Sequence, residues 1–267
     1  MADNGEKRTA LITGASAGLG KEMAALFAAD KHDVVLVARS KSKLEELAHE
    51  LEEAHGITAG VIAADLGEHT APATIFDVAK KRGLAIDFLV NNAGFGTTGE
   101  FLKLDLAREL QMIDVNIRAL VELTHRFAPA MVERKFGRIL NVASTAAFQA
   151  GPYMSNYYAT KAFVVSFSEG LAYELAGTGV TVTCHCPGAT ATDFSATAGN
   201  DKSKLFKNNS NVADAKSVAT HAYRAMHAGD VLAIHGAMNW LMAQMVPLSP
   251  RSLIRSITAG LNKPDPS

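Results

Sequence analysis

The sequence predicts an α/β fold in which one doubly wound parallel β-sheet is covered by helices on both faces. Short segments that are apolar almost throughout recur along the 267 residues, as is typical of parallel strands buried on both faces. Segments with helical periodicity lie between them, as right-handed crossovers between parallel strands require. Because no internal repeat or linker-like stretch interrupts this pattern, we assign residues 1–267 to a single domain.

Strand and helix candidates alternate along the chain. The strand candidates are residues 9–13, 33–38, 58–65, 86–92, 137–144, 179–186 and, more weakly, 231–235. Helical periodicity is clear at residues 19–30, 42–55, 106–134 and 156–176. The segment at about 190–230 is polar and rich in Ala, Ser and Asn, so we expect it to leave the core as a mobile excursion that covers a site.

Charge and composition argue against several classes of protein. The net charge is −1 and there are two cysteines, so the chain has neither the basic field that binds nucleic acid nor a disulfide framework. No stretch approaches the ~20 apolar residues of a membrane span, and no apolar core of signal-peptide length precedes the first strand. We therefore expect a cytoplasmic protein with no nucleic-acid partner and no integral membrane segment.

A glycine-rich turn joins the first strand to the first helix. In LITGASAGLGKE, Gly14, Gly18 and Gly20 let the chain turn tightly and let a ligand approach the backbone. Unpaired N–H groups and the helix dipole favour an anion at this helix N-terminus. The position after the first strand of a β-α-β unit therefore indicates a phosphate-binding loop for a dinucleotide.

The same turn also fits another enzyme class. Gly14, Ser16 and Gly18 spell G-x-S-x-G, the nucleophile elbow of α/β-hydrolases. Acids and histidines in the order of a triad follow at Asp193, Asp230, His221 and His235. A hydrolase takes its oxyanion loop from a strand upstream of the elbow, however, and only one strand candidate precedes residue 16. The position of the turn thus argues against the hydrolase alternative.

The end of the second strand indicates which dinucleotide is bound. An acid about 20 residues after the glycine loop would bind the free ribose 2′-hydroxyl of NAD. The segment VVLVARSKSK has Ala38 there, followed by Arg39, Lys41 and Lys43. A guanidinium can hold a 2′-phosphate with two hydrogen bonds, and positive charge at a helix N-terminus is unfavourable unless an anion compensates it. The pattern favours NADP(H) over NAD(H).

The segment SNYYATK, residues 155–161, pairs a tyrosine with a lysine. Side chains four apart lie on one helix face, so Tyr157 lies beside Lys161, whereas Tyr158 lies on another face. A free tyrosine has a pKa near ~10 and exchanges protons poorly at neutral pH, and a neighbouring ammonium favours the phenolate. The spacing therefore selects Tyr157 as the acid/base and predicts that Lys161 lowers its pKa.

Six motifs occur in a fixed order along nearly the whole chain. They are TGASAGLG, NNAG at 91–94, Asn116 in DVNIRA, Ser144 in NVAS, YYATK, and PGATAT at 187–192. In this order and spacing the chain resembles the single-domain branch of the short-chain dehydrogenase/reductase family. The resemblance implies a Rossmann fold and an NADP(H)-dependent oxidoreductase that interconverts a carbonyl and an alcohol. It also implies a homodimer or homotetramer, usually built on the long helices at 106–134 and 156–176.

The catalytic set that the resemblance implies is Asn116, Ser144, Tyr157 and Lys161. Ser144 ends the fifth strand and would hydrogen-bond the substrate oxygen, stabilising the charge that develops on it. By resemblance, Lys161 also binds the nicotinamide ribose, and Asn116 holds a water that relays protons through Lys161.

The cofactor contacts that we predict extend over the motifs. They are Gly14, Ser16, Ala17, Gly18, Leu19, Gly20, Arg39, Lys43, Asp65, Leu66, Asn92, Ala93, Gly94, Tyr157, Lys161, Pro187, Gly188, Thr190 and Thr192. By resemblance, Asp65 contacts adenine, Thr192 holds the nicotinamide amide, and Asn91 stabilises the central sheet. Many NADP-dependent members carry a basic residue at the position of Ala17, so this departure leaves the use of NAD(H) open.

Two alternatives share this fold. One is an NADP-binding module that senses redox state without turnover, although a sensor need not keep a polarised proton donor. The other is an epimerase or dehydratase, which usually carries a larger C-terminal substrate domain than the segment that follows Gly188 here.

The substrate pocket is expected from residues 94–101, 145–153 and 190–210. Phe148, Phe194 and Phe206 lie in these segments. They suggest an apolar or bulky carbonyl substrate, such as an acyl, steroid-like or aromatic one.

Two remaining segments have less specific patterns. In CHCP, Cys184 and Cys186 share one face of a strand while His185 points the other way, so we expect buried thiols and no metal. The C-terminal segment 238–261, which contains Trp240, is expected to cover the substrate, to pack against a second subunit or, less favoured, to rest on a membrane surface.

Overall fold

The computed structural model describes residues 6–192, 194, 198–199 and 212–263. Its strands are β1 (Thr9–Thr13), β2 (Asp33–Ala38), β3 (Ala59–Ala63), β4 (Phe88–Asn91), β5 (Gly137–Val142), β6 (Val180–Cys186), β7 (Thr190–Ala191), β8 (Ala213–Asp214) and β9 (Leu232–Ile234). Seven of them form a parallel sheet in the order β3-β2-β1-β4-β5-β6-β9, and β7 pairs with β8 separately. The strand order reverses at β1 and β4, which is where open α/β sheets bind ligands.

Helices cover both faces of the seven-stranded sheet. They are α1 (Gly18–Ala29), α2 (Lys41–His55), α3 (Ala71–Lys81), α4 (Leu106–Ile113), α5 (Ala119–Glu133), α6 (Ser155–Glu174), α7 (Ala215–Ala228), α8 (Ala237–Met245) and α9 (Arg251–Asn262). Along β1, Ile12 packs in the layer that contains α1, α2 and α7, whereas Leu11 packs in the layer that contains α3, α5 and α6. Both side chains are fully buried. The predicted doubly wound fold is therefore confirmed.

The predicted strands agree with those of the sheet to within two residues at each end. Helix α3 was not predicted, because its sequence APATIFDVAKK carries only a short apolar stripe. Ala71, Ile75 and Ala79 are nevertheless buried at helical spacing, and Pro72 occupies the first turn, where its missing N–H costs nothing.

The predicted excursion at 190–230 is too long, because its second half is part of the core. Helix α7 buries Ala219, Ala222 and Met226 at helical spacing against α1. The Tyr223 hydroxyl donates a hydrogen bond of 2.7 Å to the Asp30 carboxylate at the end of α1. Because the buried residues are mostly small alanines among polar neighbours, the mean hydropathy of this stretch is low and conceals its apolar stripe. Residues 193, 195–197 and 200–211 of the excursion lie outside the described part of the chain.

The long helix predicted at 106–134 contains a break in register. Between α4 and α5, residues Asp114–Arg118 form a π-helical turn, and the N–H of Ala119 donates to the carbonyl of Asp114, five residues back. Single π-turns inside α-helices are frequently found at functional sites. This turn carries Asn116, one of the predicted catalytic residues.

A chain of buried polar side chains ties two helices to the sheet. Asn91 Nδ2 on β4 donates to Asn141 Oδ1 on β5 at 2.9 Å and to Thr124 Oγ1 on α5 at 3.0 Å. Asn141 Nδ2 donates in turn to Ser168 Oγ on α6 at 2.9 Å. The predicted stabilising role of Asn91 thus extends to the helix that carries Tyr157. Among the described residues, no helix is both long and apolar enough to cross a membrane.

Candidate active site

The glycine turn lies at the carboxyl end of β1, tightly packed against the end of β4. Gly14 has φ of +67°, and a Cβ there would lie 2.8 Å from Asn92 Nδ2. A Cβ on Gly20 would lie 2.2 Å from the carbonyl oxygen of Gly14, a separation that backbone cannot accommodate. Gly18 has φ of +53°, and its Cβ would meet the side chain of Thr192 at 3.1 Å. The turn can therefore keep this tight conformation only with glycine at these positions. Without side chains there, a ligand can approach its backbone closely.

Thr13 fixes this turn, and the sequence analysis did not select it. Its buried hydroxyl donates to the carbonyl of Val90 at 3.1 Å and accepts from the N–H groups of Asn92 and Ala93 at 3.0 and 3.1 Å. The Asn92 amide donates back to the Thr13 carbonyl at 2.9 Å. One side chain thus joins the predicted phosphate loop to the NNAG segment. Its position directly before Gly14 was the available signal.

The predicted ribose-reading residues lie at the N-terminus of α2. Arg39 and Lys43 are exposed, whereas Lys41 forms an ion pair of 3.3 Å with Glu45. The first turn of α2 contains no acid. Neither Arg39 nor Lys43 forms an ion pair with another described residue. Their positive charge is thus uncompensated, as a phosphate site requires.

Asp65 and Leu66 follow β3 at the same edge of the sheet. The Asp65 carboxylate accepts from the N–H of Gly67 at 2.9 Å and so caps its own turn. Leu66 is buried. The remaining predicted contacts follow β6: the carbonyl of Pro187 accepts from the N–H of Thr145 at 2.9 Å, and the hydroxyl of Thr190 donates to the carbonyl of Gly188 at 3.0 Å. These bonds hold the segment after β6 against the segment that begins at Ser144.

Tyr157 and Lys161 lie one turn apart on the buried face of α6, as their spacing predicts. The Lys161 ammonium lies 5.8 Å from the centre of the Tyr157 ring. Both residues are less than a tenth exposed. Lys161 Nζ donates a hydrogen bond of 2.8 Å to the carbonyl of Val142 at the end of β5. This bond brings α6 to the end of β5, two residues before Ser144.

Burial, and not the lysine, dominates the proton affinity of Tyr157. Desolvation raises the pKa of Tyr157 well above its usual range, and a hydrogen bond with the Ser144 side chain only partly offsets this. Lys161 is not among the main influences on the pKa of Tyr157, so its lowering effect on that pKa stays a prediction. Burial also lowers the pKa of Lys161 to about 8, so at neutral pH the tyrosine is protonated and most of the lysine is charged.

Asn116 is held rigidly between the π-turn and the NNAG segment. Its Nδ2 donates to the carbonyl of Phe95 and to Thr160 Oγ1, both at 3.0 Å, and its Oδ1 accepts from the N–H of Phe95 at 3.1 Å. A Cβ on the neighbouring Gly94 would lie 3.1 Å from Asn116 Oδ1 and 3.4 Å from Lys161 Nζ. The absence of a side chain at Gly94 therefore leaves an open floor beside the lysine.

Ser144 turns the chain out of β5 toward α6. Its hydroxyl accepts from the N–H of Ala146 at 3.1 Å and so caps the 3₁₀ segment Thr145–Phe148. The same side chain lies close enough to Tyr157 to act on its pKa, which it lowers. The structure therefore brings the four predicted catalytic residues together, with Asn116 reaching Tyr157 through Thr160, whose hydroxyl donates to the Tyr157 carbonyl at 2.7 Å.

An apolar wall adjoins the Tyr157 ring. Phe194 lies 5.3 Å from that ring, centre to centre, and a Cβ on Gly96 would touch Phe194, Tyr157 and Met154. Phe148 belongs to a different cluster, with Ile234 and Ala243, so its predicted place in the substrate pocket is not supported. The third phenylalanine, Phe206, lies outside the described residues.

A cavity of about 340 Å³ lies beyond this wall. Thr97, Thr98, Arg108, Glu109 and Ala198 contribute to its lining. The Thr97 hydroxyl donates to the buried Glu109 carboxylate. Ala198 also packs in the cluster that contains Tyr157, so this cavity is continuous with the apolar wall. Thr98, which belongs to the predicted pocket segment 94–101, lines this cavity.

Tyr158 has a structural environment, as the helix geometry predicts. Its ring is buried on another side of α6, and its hydroxyl donates to Asn262 Oδ1 of α9 at 3.3 Å. The Asn262 amide also donates to the carbonyl of Pro152 at 3.2 Å. Tyr158 thus anchors the C-terminal helix, and its hydroxyl makes no hydrogen bond with Ser144 or Lys161.

The CHCP segment lies in β6 with its side chains on alternate faces. Cys184 and Cys186 are buried as free thiols. His185 faces the opposite side and contacts His221, with 3.2 Å between Nε2 and Nδ1. Within the described part of the chain, no group of three or more His, Cys, Asp or Glu side chains is arranged to hold a metal ion.

The hydrolase alternative receives no geometric support. Ser16 lies in the glycine turn, and its hydroxyl makes no hydrogen bond with any histidine in the described ranges. His221 and His235 lie near each other, 5.3 Å between ring centres, but they pack against β6 and not against the turn. Asp193 is not among the described residues.

The reversed strand order, the glycine turn and the adjoining serine, tyrosine and lysine side chains place the protein in the Rossmann class of dinucleotide-dependent oxidoreductases. Sequence comparison gives the particular family. Residues 8–203, more than half of the chain, match the family described as short chain dehydrogenase. The protein belongs to the short-chain dehydrogenase/reductase family.

Individual relatives are named for reductase activities. Over 181 residues the chain is 36% identical to ketoacyl reductase HetN of Nostoc sp., a match that covers 68% of this chain and 63% of that protein. It is 38% identical over 192 residues to the very-long-chain 3-oxoacyl-CoA reductase of Anas platyrhynchos, covering 70% of this chain and 61% of that protein. The match thus spans less than two thirds of either relative.

A solved structure is similar over nearly the full length. It is a short-chain dehydrogenase from Sphingobium yanoikuyae in complex with NADPH, with a TM-score of 0.81 and 30% sequence identity. The similarity covers 97% of this chain and 98% of that one. The fold of the whole described chain is therefore that of the family.

Proposed function

We propose that this protein is an NADP(H)-dependent oxidoreductase that interconverts a ketone or aldehyde with an alcohol, with Tyr157 as the acid/base. The observation that carries the proposal is the position of the buried Tyr157, one helical turn from Lys161 and close enough to Ser144 for that side chain to lower its pKa. This arrangement supplies a proton donor and an oxyanion-stabilising group at one point. It adjoins the open floor at Gly94.

The residues that would hold the cofactor extend from the glycine turn to Thr192. The N-terminus of α1 at the glycine turn suits the pyrophosphate, and Arg39 with Lys43 suits a ribose 2′-phosphate. The NADPH named in the similar solved structure supports this preference. Lys161 and the Gly94 floor would hold the nicotinamide end. When bound, the reduced cofactor supplies a hydride to the substrate carbon.

The proton chemistry follows from the environment of Tyr157. Its raised pKa keeps the phenol protonated at neutral pH, so it can donate to an oxygen that gains negative charge. Ser144 hydrogen-bonds the same oxygen and stabilises that charge. Once Tyr157 has given up its proton, the phenolate lies near the Lys161 ammonium, which is attractive in a buried site. Asn116 and Thr160 keep the backbone around both residues in place.

The substrate class that we propose is an apolar or acyl-chain carbonyl compound. Phe194 and Met154 form an apolar wall beside Tyr157, and the polar-lined cavity beyond it holds room for a longer substituent. The two relatives named as ketoacyl and 3-oxoacyl-CoA reductases support this class. We further propose a homo-oligomer in the cytoplasm, since two free cysteines suit a reducing compartment.

The two adjacent tyrosines provide a matched test. In Tyr157→Phe, we expect turnover of a 3-oxoacyl thioester with NADPH to fall by roughly 10³-fold, of the order of a lost general acid or base. The rise in melting temperature on adding NADPH should persist, because the hydroxyl is not needed to bind the phosphates. Tyr158→Phe removes a hydroxyl of the same helix and should retain turnover.

Each other outcome has a definite meaning. Retained turnover in Tyr157→Phe contradicts the assignment of the acid/base. A wild-type protein that binds NADPH but turns over no member of a broad carbonyl panel is the redox-sensing module, not the enzyme. If neither NADPH nor NADH raises the melting temperature, the dinucleotide site itself is wrong.

A further inference from the structure

A second cavity, of about 480 Å³, lies between α6 and the C-terminal helices. Its apolar lining comes from Phe148, Ala150, Ala162, Val246, Pro247 and Ile254. We name this cavity the C-terminal groove. Its Phe148 packs with Ile234 and Ala243, whereas Tyr157 packs in a separate cluster with Phe194. The groove is therefore distinct from the candidate active site, and its size is that of a small-molecule pocket.

Two arginines line the same groove. Arg251 and Arg255 lie one turn apart on α9, and both are exposed. Neither guanidinium forms an ion pair with any residue that the structure describes. The first turn of α9 contains no acid, and residues 236–263 contain no Asp or Glu at all. The groove thus combines an apolar lining with an uncompensated positive charge.

This combination is complementary to one kind of ligand. An apolar chain would bury itself against Phe148, Val246 and Ile254, and an anionic head would take hydrogen bonds from the two guanidiniums, which bind carboxylates and phosphates in bidentate fashion. A second copy of the chain would bring four arginines together across a twofold axis, with no acid on the patch to neutralise them. A bilayer surface cannot follow a concave cavity, whereas a single chain can enter it.

We propose that the C-terminal groove binds a free single-chain anionic amphiphile, a molecule with an alkyl tail and a carboxylate or phosphate head. The tail lies along the apolar lining, and the head contacts Arg251 and Arg255. This site goes beyond the proposed redox activity, because it requires neither the glycine turn nor Tyr157. In this proposal the C-terminal segment binds a separate ligand, whereas the sequence analysis expected it to cover the substrate or pack against another surface.

Calorimetric titration with decanoate tests the proposal. The wild-type protein should bind decanoate. It should bind acetate less tightly, because acetate lacks the tail, and 1-decanol less tightly, because 1-decanol lacks the charge. The double variant Arg251→Gln/Arg255→Gln should weaken decanoate binding by about tenfold or more, as expected for the loss of a charge-assisted hydrogen bond. Both side chains are exposed, so the variant should fold normally. Ala162→Leu should also weaken binding, because it fills the groove.

Arg108→Gln is the matched control, since Arg108 lines the cavity next to the active site. If this variant loses decanoate binding and the double variant does not, the ligand lies in the active site and the proposal fails. Equal affinities for decanoate and 1-decanol would show that the arginines do not contribute to binding, which contradicts the proposal. If decanoate does not bind but phosphatidylglycerol vesicles capture the wild type and not the double variant, the groove is a membrane contact instead. Dimers that dissociate in the double variant would identify a second copy as the occupant.

Discussion

At the scale of single residues, the sequence revealed the candidate catalytic residues more readily than the residues that hold them in position. Tyr157, Lys161 and Ser144 could be selected because helical spacing and strand ends dictate where such side chains meet. The role of Thr13 could not, because a threonine at a strand end is usually a packing residue, and its three hydrogen bonds depend on the pairing of β1 with β4. The raised pKa of Tyr157 was missed for a similar reason, since burial is a property of the folded chain.

Thr13→Val tests whether one hydroxyl positions the cofactor loop. We expect the free energy of unfolding to fall by about 1–3 kcal/mol, because the partly buried Asn92 and Ala93 N–H groups lose their acceptor. The NADPH dissociation constant should rise by about tenfold, equivalent to ~1.4 kcal/mol of lost positioning. Urea unfolding and a fluorescence titration with NADPH measure the two quantities.

The control for this experiment is Thr9→Val on the same strand. The Thr9 hydroxyl makes no hydrogen bond with a described residue, so both quantities should stay close to the wild-type values. If Thr9→Val weakens NADPH binding as much as Thr13→Val does, the effect belongs to the strand and not to the hydroxyl.

At the scale of elements, the strands were predictable because they are buried on both faces and therefore apolar almost throughout. Helix α7 was not, because its small buried residues Ala219, Ala222 and Ala225 carry little hydrophobic signal. The π-turn at Asp114–Arg118 was hidden within continuous helical periodicity. Small residues and local changes of register are set by neighbouring elements, so a single segment does not reveal them.

The contact between β6, α7 and β9 makes folding sensitive to acid. His185 on β6 is fully buried against His221 of α7, and burial together with the nearby His221 and His235 lowers the pKa of His185 to about 3. Burial and His235 also lower the pKa of His221, while Asp230 acts in the opposite direction. His185 and His221 are therefore neutral in the folded protein at neutral pH, whereas in the unfolded chain they take up a proton below about pH 6.5.

The expected pH dependence follows from this difference. The contribution of His185 is fully present above about pH 6.5 and is lost as the pH falls toward 3, at about 1.4 kcal/mol per pH unit. Urea unfolding at pH 7.5, 6.5, 5.5 and 4.5 should show this slope. His185→Asn should reduce the slope by about 1.4 kcal/mol per pH unit, the value for one proton. His49→Asn removes an exposed histidine on α2 and should leave the slope unchanged. An unaltered slope in His185→Asn would contradict the prediction.

At the scale of the whole molecule, the sequence predicted the sheet and the carboxyl-edge site, but not which surfaces remain uncovered. Leu106, Leu110 and Ile113 form an exposed apolar stripe along α4, with 65%, 53% and 37% of each residue accessible. Phe163 on α6 is also exposed and stacks on Phe167. Apolar patches of this kind mark protein–protein interfaces, and they lie on the long helices through which we expect subunits to pack.

Leu110→Glu tests the proposed oligomer. A charge in the centre of an apolar interface should convert the dimer or tetramer into smaller species, since a buried unpaired carboxylate costs several kcal/mol. Light scattering coupled to size-exclusion chromatography measures the mass. Leu248→Glu places the same charge on an exposed leucine near the C-terminal helices and should leave the mass unchanged. A wild-type protein with the mass of one chain would refute the proposal.

The buried chain of Asn91, Asn141 and Ser168 has a consequence for how the family can diversify. Because amide and hydroxyl partners must meet at 2.9 Å, α6 cannot slide by one turn, about 5.4 Å, without leaving buried polar groups unsatisfied. These hydrogen bonds therefore fix the positions of Tyr157 and Lys161 relative to the sheet. Selection can then remodel the loops that contact substrate with little risk of misaligning the chemistry, so new specificities can arise on an unchanged reaction centre.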